Sequence, residues 1–335
     1  MLHITNGDTT VTRLEVAQIP GQIVAWKDVL HEGPVPAERS LEELREIRAR
    51  YIAGRGWAAY IDVLADFTQR DAALAGFRAH DEVVLWFEHD LYDQLQLIQL
   101  LDWFSGQELG QTSLSLICIG EFAGVEPFHG LGQLTPAQLQ GLYPTRQPVT
   151  ASELRLGKRA WQAFCAPDPT AIERLLSDDT AALPFLAAAL RRHLEQFPAV
   201  GSGLSRTERQ ILQMVASGRQ QPIPLFLEDQ RQEEHVFMGD TVFWSYVDDL
   251  CEEPSPLLAP TDGAEFRLPD ACRSYDEFAA QTVTLTERGH AVLAASADYL
   301  DQHPIDRWLG GVYLQGRSRW RWDRERGRIV SSATE

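Results

Sequence analysis

Thiols are scarce in this chain of 335 residues: Cys118, Cys165, Cys251 and Cys272 lie far apart and form no C-x-x-C pair. That spacing argues against a zinc ribbon and against a disulfide-stapled secreted fold, leaving reduced thiols in a cytoplasmic protein as the expectation. Positive charge is also in deficit. With 30 Lys and Arg against 48 Asp and Glu, the formal net charge is −18, which opposes loose attraction to nucleic acid or to an anionic membrane. Any contact with DNA must therefore be local. No apolar run is long enough to span a bilayer, so no membrane partner is expected, and no basic segment followed by an apolar core marks a secretory signal after Met1. Internal repeats and low-complexity segments are missing. So are a Walker A sequence, a G-x-G-x-x-G fingerprint and an H-E-x-x-H pair, since HEGP at 31–34 does not complete one; P-loop NTPases and ordinary dinucleotide enzymes are thereby disfavoured.

What the chain does contain is a folding composition, 44% hydrophobic and 23% charged, at a length that supports roughly two domains. From residue 2 to 120, LHIT, GQIVAWKDVL, DEVVLWF and TSLSLICIG read as four strands separated by helix-compatible sequence. Strands apolar on both faces belong in a parallel sheet covered by helices, because an antiparallel sheet with one wet face would alternate. The first 149 residues are thus expected to form an α/β domain, an open, mostly parallel, Rossmann-like sheet with flanking helices. Residues 40–79 read as a helical insert of two helices broken near Gly54 and Gly56. The rhythm stops over 121–149, a stretch rich in Gly and Pro.

Helices over roughly 150–165, 169–178 and 184–196 suggest a helical connector spanning 150–200, with FPAVGSG at 197–203 as its linker. A third region, 201–335, opens with LSRTERQILQMVASG, where Ser205 and Glu208 form a capping box and Gly218 closes the helix. A further helix is expected over 239–251, and another in VTLTERGHAVLAASADYL, with Thr284 and Glu287 as its box. Short strands around Gly-containing turns end the chain. Helices followed by a strand hairpin are the outline of a winged-helix-like α+β domain, and the opening helix resembles the helix-turn-helix of sigma-factor region four. Arg317, Arg319 and Arg321, beside Trp320 and Trp322, are the candidate nucleic-acid contacts, with DNA as a possible partner. The alternative is a solvated terminal hairpin whose arginines pair with acidic neighbours and whose tryptophans pack on the core.

Polar residues crowd the exit of each N-terminal strand: Asn6, Gly7, Asp8 and Thr9; Asp28 and His31; Glu88, His89 and Asp90. In an open α/β sheet ligands bind where the carboxyl ends of the strands meet loops and helix N-termini. The turn NGDTT can cradle a phosphate on its backbone N–H groups, but the surrounding carboxylates repel that anion unless a cation intervenes. Mg²⁺ or Mn²⁺ held by Asp8, Glu88 and Asp90 resolves the conflict. In that scheme His31 and His89 are the candidate general acid and base, while Asn6, Gly7, Thr9 and Asp28 bind a phosphate-bearing substrate. Asp90 also reads as a helix N-cap, with Asp93 three positions on. The resulting expectation is a metal-assisted hydrolase or transferase acting on a phosphate-bearing small molecule or nucleotide. The alternative is a metabolite-sensing regulator or protein-interaction adaptor that uses its C-terminal domain.

Taken together, HITNGD, WKDVLHEGPVP, VVLWFEHDLYDQLQL, LSRTERQIL, IDRWLGGVYL and WRWD resemble an uncharacterised bacterial family, domain of unknown function 1835, over about residues 2–325. The resemblance implies a bacterial cytoplasmic protein and the domain plan above. It supplies no catalytic residues or cofactor.

Overall fold

The apolar runs near the start of the chain become neighbouring strands of one sheet. In the computed structural model, which describes residues 1–269 and 274–331, the order is β1 (Leu2–Thr5), α1 (Asp8–Val16), β2 (Gln22–Ala25), β3 (Gly33–Pro34), α2 (Leu41–Gly54), α3 (Tyr60–Ala75), β4 (Glu82–Glu88), α4 (Leu91–Ser105), β5 (Ser113–Ile119), α5 (Pro136–Leu142), β6 (Gln147–Pro148), α6 (Ala151–Phe164), α7 (Thr170–Leu176) and α8 (Leu186–Leu194). The sheet runs β2-β1-β4-β5-β6. Its first four strands are parallel, with Leu2 opposite Gln22 and Val83, and Glu88 opposite Ile119. Only the two-residue edge strand β6 is antiparallel. The open, mostly parallel α/β sheet flanked by helices is therefore present.

Both faces of the sheet are covered, which explains why its strands do not alternate. Val84 and Trp86 of β4 pack with Leu14 of α1 and with Leu139 and Leu142 of α5; the intervening Val83, Leu85 and Phe87 are equally buried and point the other way. On that second side α4 is buried almost all round, and Gly157 of α6 comes so close to Leu101 that a β-carbon there would overlap it. Glycine is what lets those two helix axes approach.

The second strand is shorter than its apolar run suggests. After Ala25 the chain leaves the sheet and buries Trp26, Asp28 and Leu30 beneath the insert formed by α2 and α3. A complete capping box, Ser40 with Glu43, starts α2. Arg48 on that helix reaches Asp28 at 2.8 Å, both side chains fully buried, and also donates to the carbonyls of Glu32 and Val29. Gly33 and Pro34 pair with Leu309 and Gly310.

The chain divides into two compact units, Met1–Arg191 with Trp308–Val312, and Arg192–Arg307 with the segment from Tyr313 onward. Helices α6 and α7, expected in a separate connector, belong to the first unit, because the apolar face of α6 packs along α4. The second unit contains α9 (Arg206–Ala216), α10 (Pro222–Gln232), α11 (Asp240–Asp249), β7 (Leu258–Pro260), α12 (Tyr275–Ala280), β8 (Val283–Leu285) and α13 (Glu287–Leu293); β9 (Ile305–Gly310), β10 (Val312–Gly316), β11 (Trp320–Asp323) and β12 (Arg328–Ser331) follow. Ser205 and Glu208 form the expected capping box of α9. The expected box at Thr284 is displaced: Thr284 lies on β8, paired with Ala259 of β7, and Thr286 caps α13 through the Gly289 amide. A strand thus takes the residues that the sequence pattern assigned to the helix. Strands β11 and β12 form an antiparallel ladder.

Among the described residues no helix is long and apolar enough to cross a membrane. Cys118, Cys165 and Cys251 are free thiols, and Cys272 lies outside the described residues.

Candidate functional site

Strands β1 and β4 are neighbours, yet their connections diverge: β1 leads through α1 to β2 at the sheet edge, and β4 through α4 to β5 on the other side. Divergent connections leave a crevice at the strands' carboxyl ends. A cleft of about 330 Å³ opens there, walled by Asn6, Gly7, Asp8, Thr9 and Thr10 on one side and by Glu88 on the other. Residues His129, Gly130, Gly132 and Gln133 close it.

Helix α1 enters this cleft without a side-chain cap. Gly7 at its N-cap has extended backbone and offers no cap hydrogen bond, and the first amide engaged within the helix is that of Val11, bonded to the Gly7 carbonyl at 3.0 Å. The preceding amides carry the positive end of the helix dipole into the cleft. Asn6 is fixed from both sides, accepting from the Thr10 hydroxyl at 3.1 Å and donating to Asp93 Oδ2 at 2.9 Å.

Glu88 ends β4 on the same face as Val84 and Trp86, by the two-residue alternation of a strand. Only 4% exposed, it accepts the Leu131 amide on Oε1 at 2.5 Å, while its own amide donates to Asp93 Oδ1 at 2.8 Å. Asp90 caps α4 by accepting the Asp93 amide at 3.1 Å. One oxygen from each of Glu88, Asp90 and Asp93 lies within 4.8 Å of the others. Three buried carboxyls this close cannot all hold charge. Burial, reinforced by Asp90, pushes Glu88 up to about 8; burial pushes Asp90 up to about 7 and holds Asp93 well above the ordinary carboxylate range. The group therefore retains protons at a pH where isolated carboxyls have lost theirs.

Several sequence expectations need correction. Asp8 lines the cleft but stands apart from the carboxylate group: it is exposed and paired with Lys27 at 2.6 Å, so Asp93 takes the place expected for it in the metal-ligand set. Asp28, expected to bind substrate, is locked against Arg48 under the helical insert. His31, expected as a catalytic acid or base, is buried beside Tyr92, ring centroids 6.0 Å apart. His89, the other expected acid or base, lies between Phe128 and Phe185, 6.0 Å from each ring. Neither histidine lines the cleft.

Two lining features escaped the sequence reading, His129 and the glycines of 130–132. Their signal was the Gly-rich stretch FHGLGQ, where the strand-helix rhythm breaks. Gly130, at φ 148°, seats its backbone against the Glu88 carboxylate, and Gly132 lies close to Thr9.

In the second unit Arg317 faces Asp301 at 3.1 Å, Arg321 faces Asp298 at 3.2 Å, and Arg319 lies over the Trp320 ring at 4.3 Å. Trp320 and Trp322 are buried. Of the nucleic-acid candidates, two are thus engaged with aspartates.

No model of a known protein family matches the chain, and no curated protein matches it.

Proposed function

We propose that the first unit is a metal-assisted hydrolase or transferase acting on the phosphate of a small molecule or nucleotide held at the start of α1. One observation carries the reading: the uncapped start of α1 and the buried Glu88 carboxyl open onto the same cleft. Free amides at a helix start attract an anion. The carboxyls opposite are compatible with that anion only when protonated or bound to a cation. Glu88, Asp90 and Asp93 offer three hard oxygen ligands, the donor type Mg²⁺ and Mn²⁺ prefer, in a group that burial leaves short of compensating charge. The residues fit such an ion, which when bound would offset phosphate charge and polarise the scissile bond.

The chain's own groups do the rest. The α1 amides orient the phosphate, and Asn6, by holding Asp93, fixes the carboxylate group relative to it. His129 at the cleft mouth is the imidazole placed to move a proton to the leaving oxygen or from the attacking one. The motifs HITNGD and FEHDL, which carry much of the family resemblance, contribute Asn6 to Asp8 and Glu88 to Asp90.

Calorimetry with Mn²⁺ and thermal shift with inorganic phosphate, a sugar phosphate and a nucleoside monophosphate test this reading. Saturable Mn²⁺ binding lost in Glu88→Gln, together with stabilisation by at least one phosphate compound, is expected. Wild-type protein indifferent to both the ion and every phosphate compound sinks it.

The element order of the second unit, α9 to α11 followed later by the β11–β12 ladder, supports reading it as winged-helix-like. With Arg317 and Arg321 already opposite aspartates, a protein partner suits it better than DNA.

A further inference from the structure

A second cavity, of about 200 Å³, lies in the first unit beside β5. Its walls include Leu116 and Cys118 of β5, Gln94 of α4, and Leu183 and Phe185 from the segment leading into α8. Gln94 is 1% exposed. Its Nε2 donates to the Glu88 carbonyl at 2.6 Å and lies 3.4 Å from Cys118 Sγ, which fixes the amide's orientation. Among the described residues no donor reaches its Oε1. An acceptor left without a donor in the fold is free to take one from a ligand, and Gln94 belongs to a wall of the cavity.

The rest of the lining holds one charged side chain, Glu153. The Glu153 carboxylate accepts the Thr150 amide at 2.6 Å and the Thr150 hydroxyl at 2.7 Å, completing a helix cap. Burial pushes the Cys118 thiol up to about 12, so it remains a neutral, polarizable surface. An apolar cavity of about 150 Å³ is enough to hold benzene. This one has room for one ring and a substituent.

We propose that the cavity binds a neutral, single-ring molecule that presents one hydroxyl or N–H to Gln94 Oε1 while its ring contacts Leu116, Leu183 and Phe185. Phenol and toluene differ by that donor at nearly equal size, and titrating each by calorimetry isolates it. Phenol is expected to bind saturably with a Kd of about 1 mM or tighter, and about tenfold more tightly than toluene, the effect of one buried hydrogen bond. Gln94→Leu should erase the preference. Because that change also frees the Glu88 carbonyl, Ala182→Trp, at the half-buried rim, is the companion variant; it should abolish binding of both ligands. Absence of saturable phenol binding, equal affinities in wild type, or unchanged binding in Ala182→Trp overturns the proposal. None of these results bears on the phosphate cleft, which Mn²⁺ and phosphate probe separately.

Discussion

The backbone of Gly130 packs so closely on the Glu88 carboxylate that a β-carbon at Gly130 would overlap Oε2. At φ 148° the residue also adopts a backbone conformation open to glycine. Gly130→Ala should therefore cost about 2 kcal/mol or more of stability in urea unfolding and weaken Mn²⁺ binding. Gly7→Ala makes the contrast. With extended backbone and nothing within 4 Å of its β-position, it should unfold close to wild type.

Stability should decline as pH rises from 5.5 to 9. The Glu88 carboxyl moves from 4.5 to about 8 in the folded chain, so between those values the native state binds more protons than the unfolded one. The stabilisation is complete below the lower value and lost as pH passes the upper. Asp90, moved from 3.8 to about 7, acts in the same direction. A thermal melt series should show Tm falling over that interval, with a shallower fall in Glu88→Gln. A flat wild-type profile contradicts the raised values of these carboxyls.

Metal binding should show the opposite pH dependence, since the ion must displace those protons. Mn²⁺ affinity measured at pH 8.5 should exceed that at pH 6 by about tenfold or more. Asp8→Asn should leave it unchanged and alter stability by less than about 1 kcal/mol, because its ion pair with Lys27 is exposed. Loss of Mn²⁺ binding in Asp8→Asn would restore Asp8 to the ligand set in place of Asp93.

Removing one partner of the Asp28–Arg48 pair strands a buried charge. Asp28→Asn or Arg48→Met should each cost about 3–5 kcal/mol in denaturant unfolding. Either change acts on the helical insert rather than on the cleft, so a folded survivor should still bind phosphate.

His129→Ala should lower turnover of a phosphate substrate by about 10²-fold or more, with little change in Tm, since the side chain is exposed at the cleft mouth. His89→Ala should instead lower Tm, as its ring packs between Phe128 and Phe185. Reversal of those two outcomes would return the acid-base role to His89.

Much of the architecture was legible from residue order. Unbroken apolar runs such as VVLWF announced strands covered on both faces, and S-x-x-E at Ser205 announced a helix start, because both signals are local and nothing distant competes with them. At Thr284 the same local logic failed. A pairing with Ala259, 25 positions away, held that residue in a strand and moved the cap to Thr286.

The candidate site divides along the same line. Chain order alone placed Asn6, Gly7, Asp8 and Glu88 at strand exits, since a strand delivers whatever follows it to the sheet's rim. Which carboxyl joined Glu88 could not be read that way. Asp93 reaches the group because α4 turns it back beneath β4, where it accepts the Glu88 amide and the Asn6 side chain. Asp28 and His31 left it because the chain after β2 dives under an insert that supplies Arg48. Sequence determined most of the strands and caps and the polar character of the rim through nearest-neighbour chemistry; tertiary packing decided which of those groups face one another, because partners distant in the chain, such as Glu88 and Leu131 or Asn6 and Asp93, meet only once the core beneath them has closed.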